Sequence, residues 1–174
     1  MGHGNPPIQK AIDFGVRPSL SVDVETSVPN DMFTQMRTTL SLQKNEVWAR
    51  RLAGDKNPPR FLTAREVLEF ATVEGARANG LTRKVGSLTP GKEADIILLD
   101  ATALNVAPLN QVPGAVVSLM DRTNVETVIV AGTVRKWKGK LLNVNVAKLR
   151  QDLEASRDYI FTTANVAQNL FGPQ

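Results

Sequence analysis

The sequence predicts an α/β protein built in two successive parts, and two observations carry that prediction. Over the first 80 residues apolar side chains recur at helical spacing, interrupted by one short strand signal, Ser19-Leu20-Ser21-Val22-Asp23. After Gly86 this periodicity gives way to short apolar runs separated by turn residues, the mark of a β-rich segment. At 174 residues the chain suits one domain, or one domain and part of a neighbour, and it can bury a sizeable core.

Pro6 and Pro7 suit the first turn of a helix whose apolar face is Ile8, Ala11 and Ile12, with Gly15 as its C-cap. Residues 19–23 read as a short buried strand ending in a carboxylate, and a loop follows over residues 24–30. A helix is expected from Asn30 or Asp31, with Met32, Phe33, Met36 and Leu40 along one face. Gly54-Asp55-Lys56-Asn57-Pro58-Pro59 is a surface loop. Beyond it, Thr63-Ala64-Arg65-Glu66 has the capping-box form, in which Thr63 accepts from the helix backbone and Glu66 reaches back. One helix then carries Val67, Leu68, Ala71 and Ala76, and Asn79-Gly80 ends it. The first part thus reads helix, strand, helix, helix. One strand is not a sheet.

In the second part, Leu88-Thr89-Pro90-Gly91-Lys92 contains a Pro-Gly turn and residues 94–100 read as a buried strand. Residues 118–120 are a weaker strand candidate. Residues 125–130, 133–137 and 140–144 form a strand meander with turns at Ala131-Gly132 and Lys138-Gly139. Residues 146–161 are an amphipathic helix bearing Val146, Leu149, Leu153, Ile160 and Phe161, expected to pack on the β-rich part. No internal repeat or low-complexity segment is present.

The composition, 42% hydrophobic and 22% charged, is that of a globular protein. The absence of cysteine excludes a disulfide framework or a thiolate site and is compatible with a reducing cytoplasm, the expected location. No run approaches a membrane span and the first ten residues lack a signal-peptide core, so no membrane partner is expected. The densest basic run, Arg135-Lys136-Trp137-Lys138-Gly139-Lys140, follows a hydrophobic strand signal. Lysines there oppose edge-to-edge aggregation, a reading preferred over a nucleic-acid patch, and no nucleic-acid partner is expected. The chain has one histidine. With no cysteine either, the three-ligand zinc site of an ordinary hydrolase could come only from carboxylates, which argues against a self-sufficient active site.

Asp23 is the best candidate for chemistry. A carboxylate at the C-terminal end of a buried parallel strand sits where α/β barrels place catalytic groups, able to ligate a metal or accept a proton. The alternative is an N-cap or loop-anchoring aspartate, a common use of that residue in turns. His3, in Gly2-His3-Gly4, has no second histidine at ligand spacing and is not read as a ligand. Glu66 is accounted for by capping, Glu74 is open, and Met32, Phe33 and Met36 read as core.

Three runs together resemble a known family. They are Gly15-Val16 with Asp23 and Asp31-Met32-Phe33-Thr34-Gln35-Met36-Arg37; Ala71-Thr72 and Gly75-Ala76 with residues 85–96 (VGSLTPGKEADI); and residues 125–132. The set, spread over residues 1–160 in the family's order, resembles the amidohydrolase superfamily, in the branch of cytosine- and adenosine-type deaminases and triazine chlorohydrolases. The resemblance implies the C-terminal fragment of a (β/α)8 TIM-type barrel plus part of the small composite β-sandwich. Residues 1–85 would be the end of the barrel, 86–145 the sandwich portion, and 146–174 a C-terminal helix and tail.

For function the resemblance implies metal-dependent hydrolysis of C–N (or C–Cl) bonds on a small-molecule nitrogen heterocycle. Asp23 would be both metal ligand and proton shuttle for the attacking water, with a divalent metal, zinc the expected one, in the full-length enzyme. The family's His-x-His pair and later histidines have no counterpart in this sequence. The 174-residue chain alone is therefore expected to be inactive and to hold no tight metal. Met1 takes the place of an internal methionine of the longer pattern, so a truncated reading frame, an internal start or a cleavage product is expected. A barrel remnant exposes a sheet edge and an apolar face, so a homo-oligomer is expected. A non-catalytic binding or oligomerisation module derived from the same fold is the competing reading.

Overall fold

The computed structural model describes residues 4, 6–25 and 28–169. It divides into two compact units, residues 1–140 and 141–174.

In the first unit, α1 (Ile8–Asp13) follows Pro6 and Pro7 as expected. α2 (Met32–Leu52) begins at Asp31, whose carboxylate accepts the Thr34 N–H at 2.7 Å and so satisfies one of the free donors of the first turn. α3 (Ala64–Phe70) starts from the anticipated capping box, both halves of which are made. Asn79-Gly80 does end the helical run, but two helices precede it, not one: α4 (Val73–Ala78) is separated from α3 at Thr72. Thr72 leaves helical dihedrals (φ −125°, ψ −87°), and its hydroxyl donates to the Leu68 carbonyl at 2.8 Å. Such side-chain bonding to the preceding turn competes with helix continuation.

A further helix, α5 (Val112–Ser118), has no counterpart in the sequence reading, and residues 118–120 are its C-terminal end rather than a strand. Valine, proline and glycine make a poor helix on propensity. Burial overrides this: Ala115, Val116 and Val117 join Phe33, Met36 and Leu40 of α2 and Val67 and Phe70 of α3 in one core. Each of these larger side chains, Ala115 aside, contributes about 1.5–3 kcal/mol when fully buried. Arg37 of α2 caps α5, donating to the Ser118 carbonyl at 3.2 Å and the Met120 carbonyl at 2.8 Å. A buried amide ties α1 and α2 to the approach of α3: Gln43 Nε2 donates to Gln9 Oε1 and the Arg60 carbonyl, while Gln43 Oε1 accepts the Leu62 N–H.

The sheet has the order β1 (Ile96–Leu99), β2 (Val125–Val130), β3 (Thr133–Trp137), β4 (Lys140–Leu141). β1 pairs antiparallel with β2, and β2 with β3. Both hairpin turns have positive φ at both central residues, Ala131 and Gly132 in one and Lys138 and Gly139 in the other, the geometry that two-residue hairpins favour. The strand expected over residues 94–100 is shorter, and it is not buried: Ile97 and Leu98 are about half exposed. β4 is likewise only the first two residues of the expected 140–144.

Residues 19–23 are not a strand. A strand needs a neighbour to complete its ladder, and among the described residues one backbone bond serves this segment, from the Leu20 N–H to the Phe70 carbonyl at 3.3 Å. In the second unit, α6 (Val146–Ala164) starts at Asn145, whose side chain accepts the Lys148 N–H, and it buries none of its residues.

Candidate functional site

The segment leading to Asp23 is neither helix nor strand and is held by side chains. Pro18 fixes its own φ and biases Arg17 to extended backbone. Arg17 Nε donates to Glu74 Oε1 at 2.5 Å, and its terminal nitrogen donates to Glu69 Oε2 at 2.6 Å. Arg77 donates to the other oxygen of Glu74 at 2.6 Å and to the Arg17 carbonyl at 3.1 Å. The Arg17 guanidinium also lies 5.3 Å from the centroid of the Phe70 ring. α3 and α4 thus grip the chain just upstream of Asp23. Glu74 is a tenth exposed, and the hydrogen bonds from Arg77 and then Arg17 hold its carboxyl below the usual carboxylate range.

Asp23 itself has φ +62°, a left-handed conformation that aspartate tolerates better than most residues. Its N–H donates to Ser21 Oγ at 3.3 Å, and its side chain is exposed. Among the described residues no donor reaches its carboxylate. The other loop aspartates differ: Asp31, Asp55, Asp95, Asp100 and Asp121 each accept a backbone N–H, from Thr34, Asn57, Ala131, Thr102 and Thr123, at 2.7–2.8 Å. Asp31 caps α2, Asp95 reaches the β2–β3 turn, and Asp55, Asp100 and Asp121 close local turns. Asp23 makes no such bond. Just after it in the chain, Glu25, Val28, Pro29, Asn30 and Asp31 line a polar hollow with Arg122.

Among the described residues no three His, Asp or Glu side chains converge where a cation would sit. Asp23 is a single donor, short of the three protein donors of a zinc site, so the described residues do not by themselves fit a metal. His3 lies outside them. Glu66 is a cap, as read from sequence: the Arg60 guanidinium first, then the Thr63 backbone and hydroxyl, bring its carboxyl down to about 2. Phe33 and Met36 are core. In the basic run, Lys136 Nζ donates to the Val125 carbonyl at 2.6 Å and Lys138 stands over the Trp137 ring.

Sequence reasoning missed Arg17, Glu69, Arg77 and the role of Glu74. Arg17 and Glu74 lie 57 residues apart, and no local pattern pairs charges at that distance.

The sequence model of the amidohydrolase family matches residues 2–135. A 5-methylthioadenosine/S-adenosylhomocysteine deaminase of Moorella thermoacetica is 31% identical over 150 residues, covering 86% of this chain and 33% of the relative. A 5'-deoxyadenosine deaminase of Methanosarcina barkeri is 31% identical over 166 residues, covering 95% and 36%. Among solved structures, a zinc-bound adenosine deaminase from Xanthomonas campestris superposes with a TM-score of 0.77 at 30% identity, over 91% of this chain and 34% of that one. A zinc complex of an atrazine chlorohydrolase from Arthrobacter aurescens shares the fold, with a TM-score of 0.68 at 21% identity over 89% and 33%. The chain spans about a third of the length of the relatives it matches.

Proposed function

We infer, from the premise that this chain belongs to the amidohydrolase family, that it serves hydrolysis of a small nitrogen-heterocyclic substrate. The bond broken in this reading is C–N, as the deaminase relatives suggest, with C–Cl as the variant. Residues 1–85 supply the end of a (β/α)8 barrel, 86–145 part of a β-sandwich, and 146–174 a C-terminal helix and tail. A divalent metal, zinc by analogy with the similar structures, belongs to this reading only where donors beyond Asp23 are present.

Within it, Asp23 handles the proton. Water adds to the ring carbon, Asp23 takes the released proton on a carboxylate oxygen, and the same proton passes to the departing nitrogen as the C–N bond breaks. The supporting observation is the Asp23 carboxylate, exposed on a left-handed residue and accepting nothing among the described residues, unlike the turn-tying aspartates. In an assembly that supplies the remaining donors, Asp23→Asn is expected to fold, to keep at least part of its metal, and to lower turnover about a hundred- to ten-thousand-fold. Turnover near the wild-type rate would reduce Asp23 to a loop residue. The 174-residue chain alone, dialysed and analysed for metal, is expected to retain far less than one zinc per chain and to show no hydrolysis.

A second reading, a non-catalytic oligomerisation module, is favoured by α6: Val146, Leu149, Leu153 and Ile160 recur at helical spacing, and each is half exposed or more. Sedimentation of the chain tests it, and a monomer at all concentrations removes it.

A further inference from the structure

We propose that Arg17 is a positioning residue for Asp23: by bridging Glu69 of α3 and Glu74 of α4, it fixes the segment that presents the Asp23 carboxylate. The proposal rests on the reading of Asp23 as the proton acceptor. A left-handed residue carries some strain even when it is an aspartate, and ordering each residue of an unpaired segment costs backbone entropy. The ladder that would normally meet that cost is missing among the described residues, with the Leu20–Phe70 bond alone in its place. Residue 17 compensates twice over. Its guanidinium fork meets two carboxylates on two helices, and its carbonyl is held by Arg77, which also holds the second oxygen of Glu74. Side chain and backbone of one residue are therefore anchored to the same carboxylate. Phe70 supplies a face beneath the guanidinium, and Pro18 carries the fixed direction forward. A lysine, a point charge without the fork, would satisfy one of the carboxylates but not both.

The test is NMR on the isotope-labelled 174-residue chain, which needs no turnover. In the wild-type protein the Leu20 amide is expected to be protected from exchange, and Asp23 to give the strong intraresidue HN–Hα cross-peak of a positive φ. Arg17→Ala should speed Leu20 exchange at least tenfold and weaken the Asp23 cross-peak, while amides of α2 and of the β2–β3 pair keep their protection. Arg17→Lys should fold and fall between the two. Unchanged Leu20 and Asp23 signals in Arg17→Ala overturn the proposal, as does equal loss of protection throughout the chain. If Arg17→Ala does not fold, Arg17→Lys decides alone, and signals identical to wild type overturn it. Asp23→Asn should keep the Leu20 protection. Failure of the proton-acceptor reading, seen as retained turnover in that variant, is thus distinct from failure of the clamp.

Discussion

The β2–β3 hairpin and the segment of residues 17–23 both lie outside the helices, yet different groups hold them. The hairpin carries its partner in the adjoining sequence: Val128 faces Lys136, Ile129 faces Val134 and Val130 faces Thr133 across a two-residue turn. Its ladder groups pair backbone to backbone, with side chains added at the margins, where Asp95 accepts the Ala131 N–H and Lys136 donates to the Val125 carbonyl. The segment has one backbone bond to α3 and depends on Arg17, Arg77 and Glu74 for the rest. The difference teaches where each can be weakened. Backbone pairing is insensitive to charge, whereas a side-chain clamp fails when its helices shift or its carboxylate is neutralised.

The largest expected effect strikes the segment's side through the helix that carries Glu74. Gly86 sits at φ +91°, and a Cβ there would come within 2.6 Å of the Ala76 Cβ and 3.3 Å of the Val73 Cα, both on α4. Gly86→Ala adds left-handed strain to a forced shift of that helix, and is expected to cost about 2–4 kcal/mol. Urea unfolding measures the loss, and Leu20 exchange should speed more than that of the hairpin amides. A loss below about 0.5 kcal/mol, the range of an ordinary surface change, would show that α4 gives way without disturbing what it grips.

Asn124→Ala is the mirror experiment, directed at the root of the hairpin. Asn124 is 1% exposed and sits immediately before β2. Its amide donates to the Asp100 carbonyl at 3.0 Å and to Asn105, and its oxygen accepts the Asp121 N–H at 3.0 Å. Removing it leaves buried polar groups without partners, at a cost of about 2–3 kcal/mol. Here the exchange of β1 and β2 amides should speed first, with Leu20 little changed. Equal effects on both regions would mean that they do not open separately.

The same contrast explains what the sequence could disclose. The strands β2 and β3, their Ala131-Gly132 turn and the Thr63–Glu66 cap are specified by neighbours a few residues away, so their patterns are legible. Residues 19–23 have the composition of a strand, but strand formation depends on a partner that no local pattern supplies. α5 is hidden for the opposite reason, because its poor helix formers are held by contacts with α2 and α3 from distant sequence. Asp23 could be singled out as a carboxylate at the end of an apolar run. Its left-handed backbone and unengaged carboxylate appear only in three dimensions, as does the Arg17 clamp.

The smallest expected effect is on acidification, and it separates the two regions without mutation. Glu74 faces Arg17 and Arg77, and Glu69 joins Arg17 from α3. Because the Glu74 carboxyl is held below its ordinary value, the unfolded chain binds the proton more readily than the folded one. The clamp's contribution is therefore fully present above the ordinary glutamate value of about 4.3 and is lost as pH falls through the lowered folded value. The arginines stay charged throughout, so the loss comes from the carboxylate alone. Glu66 follows the same sign, its contribution to the start of α3 being lost as pH falls toward about 2. At the hairpin's root, Asp100 and Asp121 are also held below the usual range, by Thr102 and Thr123, and Asp95 accepts the Ala131 N–H in the turn, yet the ladder bonds of β2 and β3 run from backbone to backbone. Partly exposed ion pairs contribute about 1 kcal/mol or less, so the shift is modest. Corrected for intrinsic exchange rates, Leu20 protection should begin to fall once pH drops below the ordinary glutamate value of about 4.3, while Val128 and Ile129 keep theirs. Parallel loss at all three amides would mean that the carboxylates act on the whole fold, and that the segment carrying Asp23 is no more dependent on charge than the hairpin.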